Sequence, residues 1–287
     1  MATARQVKQR ISTAKNISKI TKAMEMVSAS KMKRAQDQTL AARPYAQALA
    51  DSLRTLAKEA TPDLHPLLSN HTEGIDVLII ISTDRGLCGS LNQNMFKKAM
   101  EWYKAHPKGE FIVVGKKAVA FAQFLGLDVI AQFTSIPDRV SLSDILPITT
   151  LAIEKFTEKY YRSVSIVYMD FINTLSQKAH LSQLLPINNL SDDQSLVETE
   201  RSEYIFEPTP KEILQELLPY YVENSVYQSF LEGKASEHSA RMVAMKNASE
   251  NAKDLVKELQ LLFNKSRQES ITKELLEITT ATMTLES

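Results

Sequence analysis

The chain has 287 residues, 44% of them apolar, which is enough for at least one packed core and excludes a disordered or fibrous protein. Its 34 basic and 34 acidic side chains cancel, and its single cysteine, Cys88, excludes an internal disulfide. No run approaches the roughly 20 apolar residues that cross a bilayer, the longest strongly aliphatic stretch being Val77 to Ile81, so any membrane link has to pass through a partner.

The first 43 and the last 54 residues contain neither glycine nor proline, and all seven glycines and ten prolines lie between Pro44 and Gly233. Both ends can therefore run as uninterrupted helices. At about 1.5 Å per residue the stretch from Lys234 to Ser287 makes a rod of about 80 Å. The N-terminal helix carries an apolar stripe at Ile17, Ile20, Met24 and Val27, with steps of three and four. It also holds ten Lys or Arg against only Glu25 and Asp37, so it needs an acidic neighbour or full solvation. This basic, acid-poor start also fits an organellar transit peptide, although the helical pattern continues without a break past Met32.

Between the ends, short β-rich runs alternate with amphipathic segments. Strands are predicted at Val77–Ile81, Phe111–Val114, Val129–Phe133 and Val164–Phe171. Helices are predicted at Leu91–Tyr103, Lys117–Phe124 and Leu142–Tyr161, the last with Pro147 in its first turns or at a kink. Edge strands follow at Ala179–Leu185 and Tyr204–Phe206, separated by a polar loop from Asn188 to Ser202, and Pro208, Pro210 and Pro219 delay the final helix. In that helix Met245, Ala248, Ala252, Leu255, Leu259 and Leu262 form a heptad seam. The expected fold is α/β: a long antiparallel coiled coil of N- and C-terminal helices bracketing a Rossmann-like open α/β domain. Its expected segments are residues 1–60, 74–206 and 211–287. Alternatively, each stripe is one face of a globular bundle.

The segment Ser82 to Asn92 follows a strand and opens a helix, where α/β proteins cradle phosphates. It matches neither the dinucleotide nor the P-loop pattern. A tight turn, with Gly86 and Gly89 supplying unusual backbone angles, accounts for it more simply. Cys88 has no histidine in a recognisable arrangement to act as its base and reads as a structural thiol. No histidine and carboxylate cluster has metal-ligand spacing. The basic residues of the first helix could meet a nucleic-acid backbone, but Tyr45 is the first aromatic in the chain, so base stacking has no support.

The stretch Ile20-Thr-Lys-Ala-Met-Glu-Met-Val-Ser-Ala-Ser-Lys-Met32 closely resembles the N-terminal helix of the gamma subunits of F-type ATP synthases. Ser82 to Asn92, Glu237 to Lys246 and Glu258 to Glu274 agree with the same family, and the likeness runs end to end. The chain departs from the family pattern at Ser90, where a glycine is usual, and at Ala281 and Thr282, where Gly-Ala is usual.

The resemblance implies a central-stalk rotor, bacterial in type, that carries torque and has no catalytic, cofactor or metal residue of its own. The implied partners are the alpha and beta subunits around the coiled coil, and the epsilon subunit and the c-subunit ring at the globular domain. Membrane association is then indirect, on the cytoplasmic side of the bacterial inner membrane. By the same resemblance Met24, Arg267, Gln268 and Thr272 contact the beta subunits, and Tyr204 and Glu207 touch the c ring. An enzyme with a nucleotide-binding domain and a coiled-coil nucleic-acid binder are the rival classes.

Overall fold

The computed structural model describes residues 4–59, 65–187 and 209–285. They divide into two compact units, Ala29–Ala240 on the one hand and Met1–Ser28 with Arg241–Ser287 on the other. Two helices contribute to both units: α1 (Ala4–Glu59) and α5 (Pro210–Leu285).

The larger unit is built on a five-stranded sheet of β1 (Ile75–Ile81), β2 (Glu110–Val114), β3 (Val129–Phe133), β4 (Tyr161–Phe171) and β5 (Gln177–Leu185). The strand order is β3-β2-β1-β4-β5. The first four strands are parallel, and β5 returns antiparallel to β4. Three crossover helices connect the parallel strands: α2 (Leu91–Ala105), α3 (Lys116–Leu125) and α4 (Leu142–Thr157). All four predicted inner strands and all three helices are present, and β3 keeps its predicted limits.

Strand β1 is apolar on both faces because both are covered. Val77, Ile79 and Ile81 join a core that includes Leu53 of α1, Ile148 of α4 and Phe230 of α5. The alternate residues Leu78 and Ile80 join Met95 and Ala99 of α2 and Ala118 of α3. Gly115, between β2 and α3, has φ +90, and a Cβ there would stand 2.4 Å from the Ser82 carbonyl oxygen. The close approach lets the Ser82 hydroxyl donate to the Val114 carbonyl at 2.9 Å and accept from the Ala118 N–H at 2.8 Å.

Pro210 and Pro219 do not delay the final helix as expected, and both terminal helices run close to their expected limits of 1–60 and 211–287. Helix α5 opens at Pro210 and carries Pro219 and Gly233 inside it, and α1 continues through Pro44. Pro210 stands at the first helical position, where no N–H is needed. On either side of Pro219, Leu214, Leu218, Val222 and Val226 are all buried in the core, and such tertiary packing outweighs a lost intrahelical bond. At Gly233 a Cβ would lie 3.7 Å from Ile81 Cγ2, an ordinary van der Waals contact, so α5 packs on β1 there without requiring a glycine. The predicted strand Tyr204–Phe206 and the loop Asn188–Ser202 lie outside the described residues.

The second unit is a helix pair. Its α1 seam is Val7, Ile11, Ala14, Ser18, Thr21, Glu25 and Ser28, alternating steps of four and three, each position buried or half-buried. The α5 seam is Met245, Ser249, Ala252, Val256, Leu259 and Phe263. Ser18 meets Ser249, while Lys8 and Ile11 share a groove with Gln260 and Phe263, so the helices run antiparallel.

This seam differs from the predicted stripes. Ile17, Ile20 and Val27 are exposed, Ile20 by 59%, and Leu255 and Leu262 are each 47% exposed. Only Met245, Ala252 and Leu259 keep their predicted seam positions, with Ala248 half-buried beside them. Small seam residues allow the backbones to approach closely, and that gain displaces larger aliphatic side chains to the outside.

Candidate functional site

The phosphate-cradle position at the end of β1 is occupied by the protein itself. The turn after β1 is held by side chains: Asn92 Nδ2 donates to Thr83 Oγ1 at 2.9 Å, and Thr83 Oγ1 donates to the Arg85 carbonyl at 2.7 Å. Positive φ angles fall on Leu87 (+64°) and Gly89 (+60°), so Leu87 takes one of the two roles predicted for Gly86 and Gly89. Ser90, where the family usually has glycine, has φ −85° and needs none. Cys88 is buried, and its Sγ accepts from Asn92 Nδ2 at 3.4 Å.

Sheet order reverses between β1 and β4, where open α/β sheets bind ligands. There Phe230, Gly233, Lys234 and Glu237 of α5 close over Thr83 and Asp84, leaving a cavity of about 20 Å³. A small-molecule site needs roughly 300 Å³ or more. Among the described residues no group of His, Cys, Asp and Glu has the arrangement of a metal site.

The features left to act on a partner belong to the helix pair. From Arg267 to Thr280 every residue of α5 is exposed, including Ile271, Leu275, Leu276 and Ile278. A lone helix of this length is marginal in water, and an exposed apolar strip of this kind marks an interaction surface. Its threonine hydroxyls are turned inward: Thr272 Oγ1 donates to the Gln268 carbonyl at 2.9 Å, Thr279 to Leu275 at 2.8 Å and Thr280 to Leu276 at 2.6 Å. Back-bonded hydroxyls have less capacity to hold a neighbour. From Leu275 to Thr280 the surface is therefore mainly apolar, with Glu277 its one charge and its threonine hydroxyls bonded internally, while Arg267, Glu269, Lys273 and Glu274 keep the preceding turns charged.

Arg267 and Gln268 are exposed at the start of this stretch, and among the described residues neither side chain has an ion-pair or hydrogen-bond partner. The guanidinium is free to take a carboxylate through two parallel hydrogen bonds. Thr272, one turn on, is on the same side as Gln268. Met24 is half-buried on α1. Counting from the Ser18–Ser249 contact, Met24 lies about 9 Å one way along the pair and Arg267 about 27 Å the other. The structure thus brings Arg267, Gln268 and Thr272 together and sets Met24 at a different level. Between Met24 and the N-terminal end α1 exposes Lys8, Arg10, Lys15, Lys19 and Lys22, with Lys22 paired to Glu25 at 2.9 Å. Tyr204 and Glu207 lie outside the described residues.

Sequence reasoning missed the serine-rich seam because it tracked large apolar residues. The signal was present: counting Ala and Ser as seam residues, Ala14, Ser18, Thr21 and Ser28 keep the heptad spacing.

Comparison with known proteins accounts for nearly the whole chain. The family profile described as ATP synthase matches residues 3–285. An ATP synthase gamma chain from Glaesserella parasuis serovar 5 (strain SH0165) is 44% identical over 283 residues, covering 97% of this chain and 98% of that protein. Among solved structures, a chain of the central stalk and c ring of the Tetrahymena thermophila mitochondrial ATP synthase is 26% identical with a TM-score of 0.61, over 80% of this chain and 99% of that one. A chain of the Euglena gracilis mitochondrial ATP synthase, in a structure of OSCP, F1 and c ring, has a TM-score of 0.68 at 22% identity, over 98% of this chain and 94% of that one.

Proposed function

The chain belongs to the ATP synthase gamma family, and from that premise we propose how its parts serve as the rotor of the central stalk. It transmits torque between a proton-driven c ring and a catalytic ring of alpha and beta subunits, while ATP is made or hydrolysed on other chains. The observation that carries this reading is the end of α5, where Ile271, Leu275, Leu276 and Ile278 stand exposed on a single helix whose threonine hydroxyls are bonded internally. Such a surface suits turning within an apolar sleeve, because it buries area without making directional bonds that would hold one angle.

In this reading residues 1–60 and 211–287 form the shaft and 74–206 the domain that meets the epsilon subunit and the c ring, with Tyr204, and Glu207 just past its end, touching the c ring. Arg267 and Gln268, with Thr272 beside them, take acidic loops of the beta subunits, and Met24 passes those subunits at another level. The basic residues of α1 supply complementary charge for the same loops. No helix among the described residues is long and apolar enough to cross a membrane. The chain is then held peripherally, through the c ring, on the cytoplasmic side of a bacterial inner membrane.

Purification of the tagged chain from its native membrane tests the reading. Alpha, beta, epsilon and c subunits should accompany it in a complex that hydrolyses ATP, and their absence would overturn the assignment of partners.

A further inference from the structure

The connection from β3 to α4, residues 134–141, is bolted down at several points. Lys234 Nζ donates to the Ile136 carbonyl at 3.3 Å and the Tyr227 hydroxyl to the Val140 carbonyl at 3.3 Å, both from α5. Ser135 has φ +65°, and its N–H donates to Asp84 Oδ1 at 3.4 Å, the same oxygen that accepts the Lys116 N–H at 3.0 Å. At the centre stands Asp138. Lys31 Nζ of α1 donates to its Oδ2 at 2.6 Å, and His238 Nε2 of α5 lies 3.4 Å from its Oδ1. The carboxylate thus ties α1 to the loop by a hydrogen bond and faces His238 of α5 in a contact that is an ion pair only with the ring protonated, while the Lys234 and Tyr227 bonds supply the hydrogen bonds from α5. Lys31 and His238 stand within two residues of Ala29 and Ala240, the limits of this unit.

We propose that Asp138 is a positioning residue for torque transfer, pinning α1 and α5 to the β3–α4 loop so that both helices turn with the sheet. The proposal rests on the rotor reading above. Loops over a sheet are ordinarily the most mobile part of a domain, and this one is instead fixed to α1, α5 and the turn after β1. Burial pushes the Asp138 carboxyl up, but the Lys31 hydrogen bond and the charges of His238, Lys31 and Lys234 outweigh it and hold the group below the usual carboxylate range. The pin is thus ionised across the neutral range. Asp138 and Lys31 are both partly exposed, so their pairing adds little to stability. Its contribution lies in angle: both helices are long, and slack at residues 31 and 238 is carried along their whole length.

The test uses assembled complexes in membrane vesicles, with ATP hydrolysis and ATP-driven proton pumping measured on the same preparation. Asp138→Ala and Lys31→Gln should keep hydrolysis but lower protons pumped per ATP by about two- to five-fold, the scale on which one such ion pair shifts an equilibrium. Lys31→Arg, which keeps the charge, should retain the wild-type ratio. The melting temperature of the purified chain should move by no more than about 2 °C in each variant. Wild-type pumping ratios in both Asp138→Ala and Lys31→Gln would overturn the pin, as would a loss of pumping that merely tracks a fall in melting temperature. If Asp138→Ala does not fold, the contrast between Lys31→Gln and Lys31→Arg decides the matter alone. A wild-type chain that supports no pumping at all would remove the rotor reading itself.

Discussion

The hydroxyls of Ser18 and Ser249 face each other at 3.5 Å across the antiparallel helix pair, and the Ser249 hydroxyl reaches the Ser18 carbonyl at 3.3 Å. Two serines at the centre of a seam mean that the helices are held close by shape and by a few polar contacts.

A large side chain at Ser249 should therefore force the helices apart. Ser249→Leu is expected to destabilise the helix pair by about 1 to 3 kcal/mol, the usual cost of overpacking a tight contact, while Ser249→Ala should cost less than about 1 kcal/mol. Thermal melts followed by circular dichroism distinguish the two. A leucine variant as stable as wild type would mean that the seam is loose at this level.

Gly115→Ala should destabilise the globular unit by more than about 2 kcal/mol, because φ +90° is unfavourable for alanine and the new Cβ would meet the Ser82 carbonyl at 2.4 Å. Urea unfolding of the purified chain reads this directly. Unchanged stability would show that β2 and the turn after β1 can move apart freely.

Two carboxyl groups should give the chain opposite pH dependences. Burial pushes Asp76 up, but hydrogen bonds from Arg162 and Ser163 together outweigh it and leave the group below its ordinary range. Its contribution to stability is present above the ordinary Asp range and is lost as pH falls through the depressed value. Glu232 is raised, by burial first and then by the neighbouring Asp170 charge, against a 2.9 Å bond from Gln228. Its contribution is complete below the ordinary Glu range and is lost as pH rises through the raised value. Asp76→Asn should thus lower the melting temperature at pH 7 and have a diminishing effect in acid, whereas Glu232→Gln should raise it at pH 7 and converge with wild type in acid. Parallel melting curves at every pH would contradict both assignments.

The sheet was legible in the sequence because its signals are local. Val77 to Ile81 is apolar on consecutive positions, and Ser82 to Asn92 is a turn whose residues bond one another. The helix pair was legible in extent but not in register, since Ile17, Ile20 and Val27 are larger and more apolar than Ala14, Ser18 and Ser28, and only packing reveals that the smaller set faces inward. Pro219 misled for a related reason, because its cost is local while the packing that outweighs it is distant in sequence. The partner-facing role of Arg267 and Gln268 came from resemblance, and composition alone did not suggest it.

Arg267→Ala, alone or with Gln268→Ala, should leave the isolated chain as stable as wild type, since both side chains are exposed. In assembled complexes it should slow ATP synthesis, hydrolysis and pumping together, because truncating one side of a desolvated charge pair costs on the order of 2 to 5 kcal/mol in the rotary state that makes the contact. Normal rates in all three, with normal assembly, would remove these residues from the mechanism and leave the shape of the shaft to carry the torque.

As the rotor of the central stalk this chain should turn. The most direct measurement fixes an assembled alpha and beta ring to a surface, attaches a visible probe to the globular unit of this chain, and supplies ATP. A rotor should carry the probe stepwise in one direction, at a rate that follows ATP hydrolysis. A probe that stays still while ATP is hydrolysed at the normal rate would contradict it.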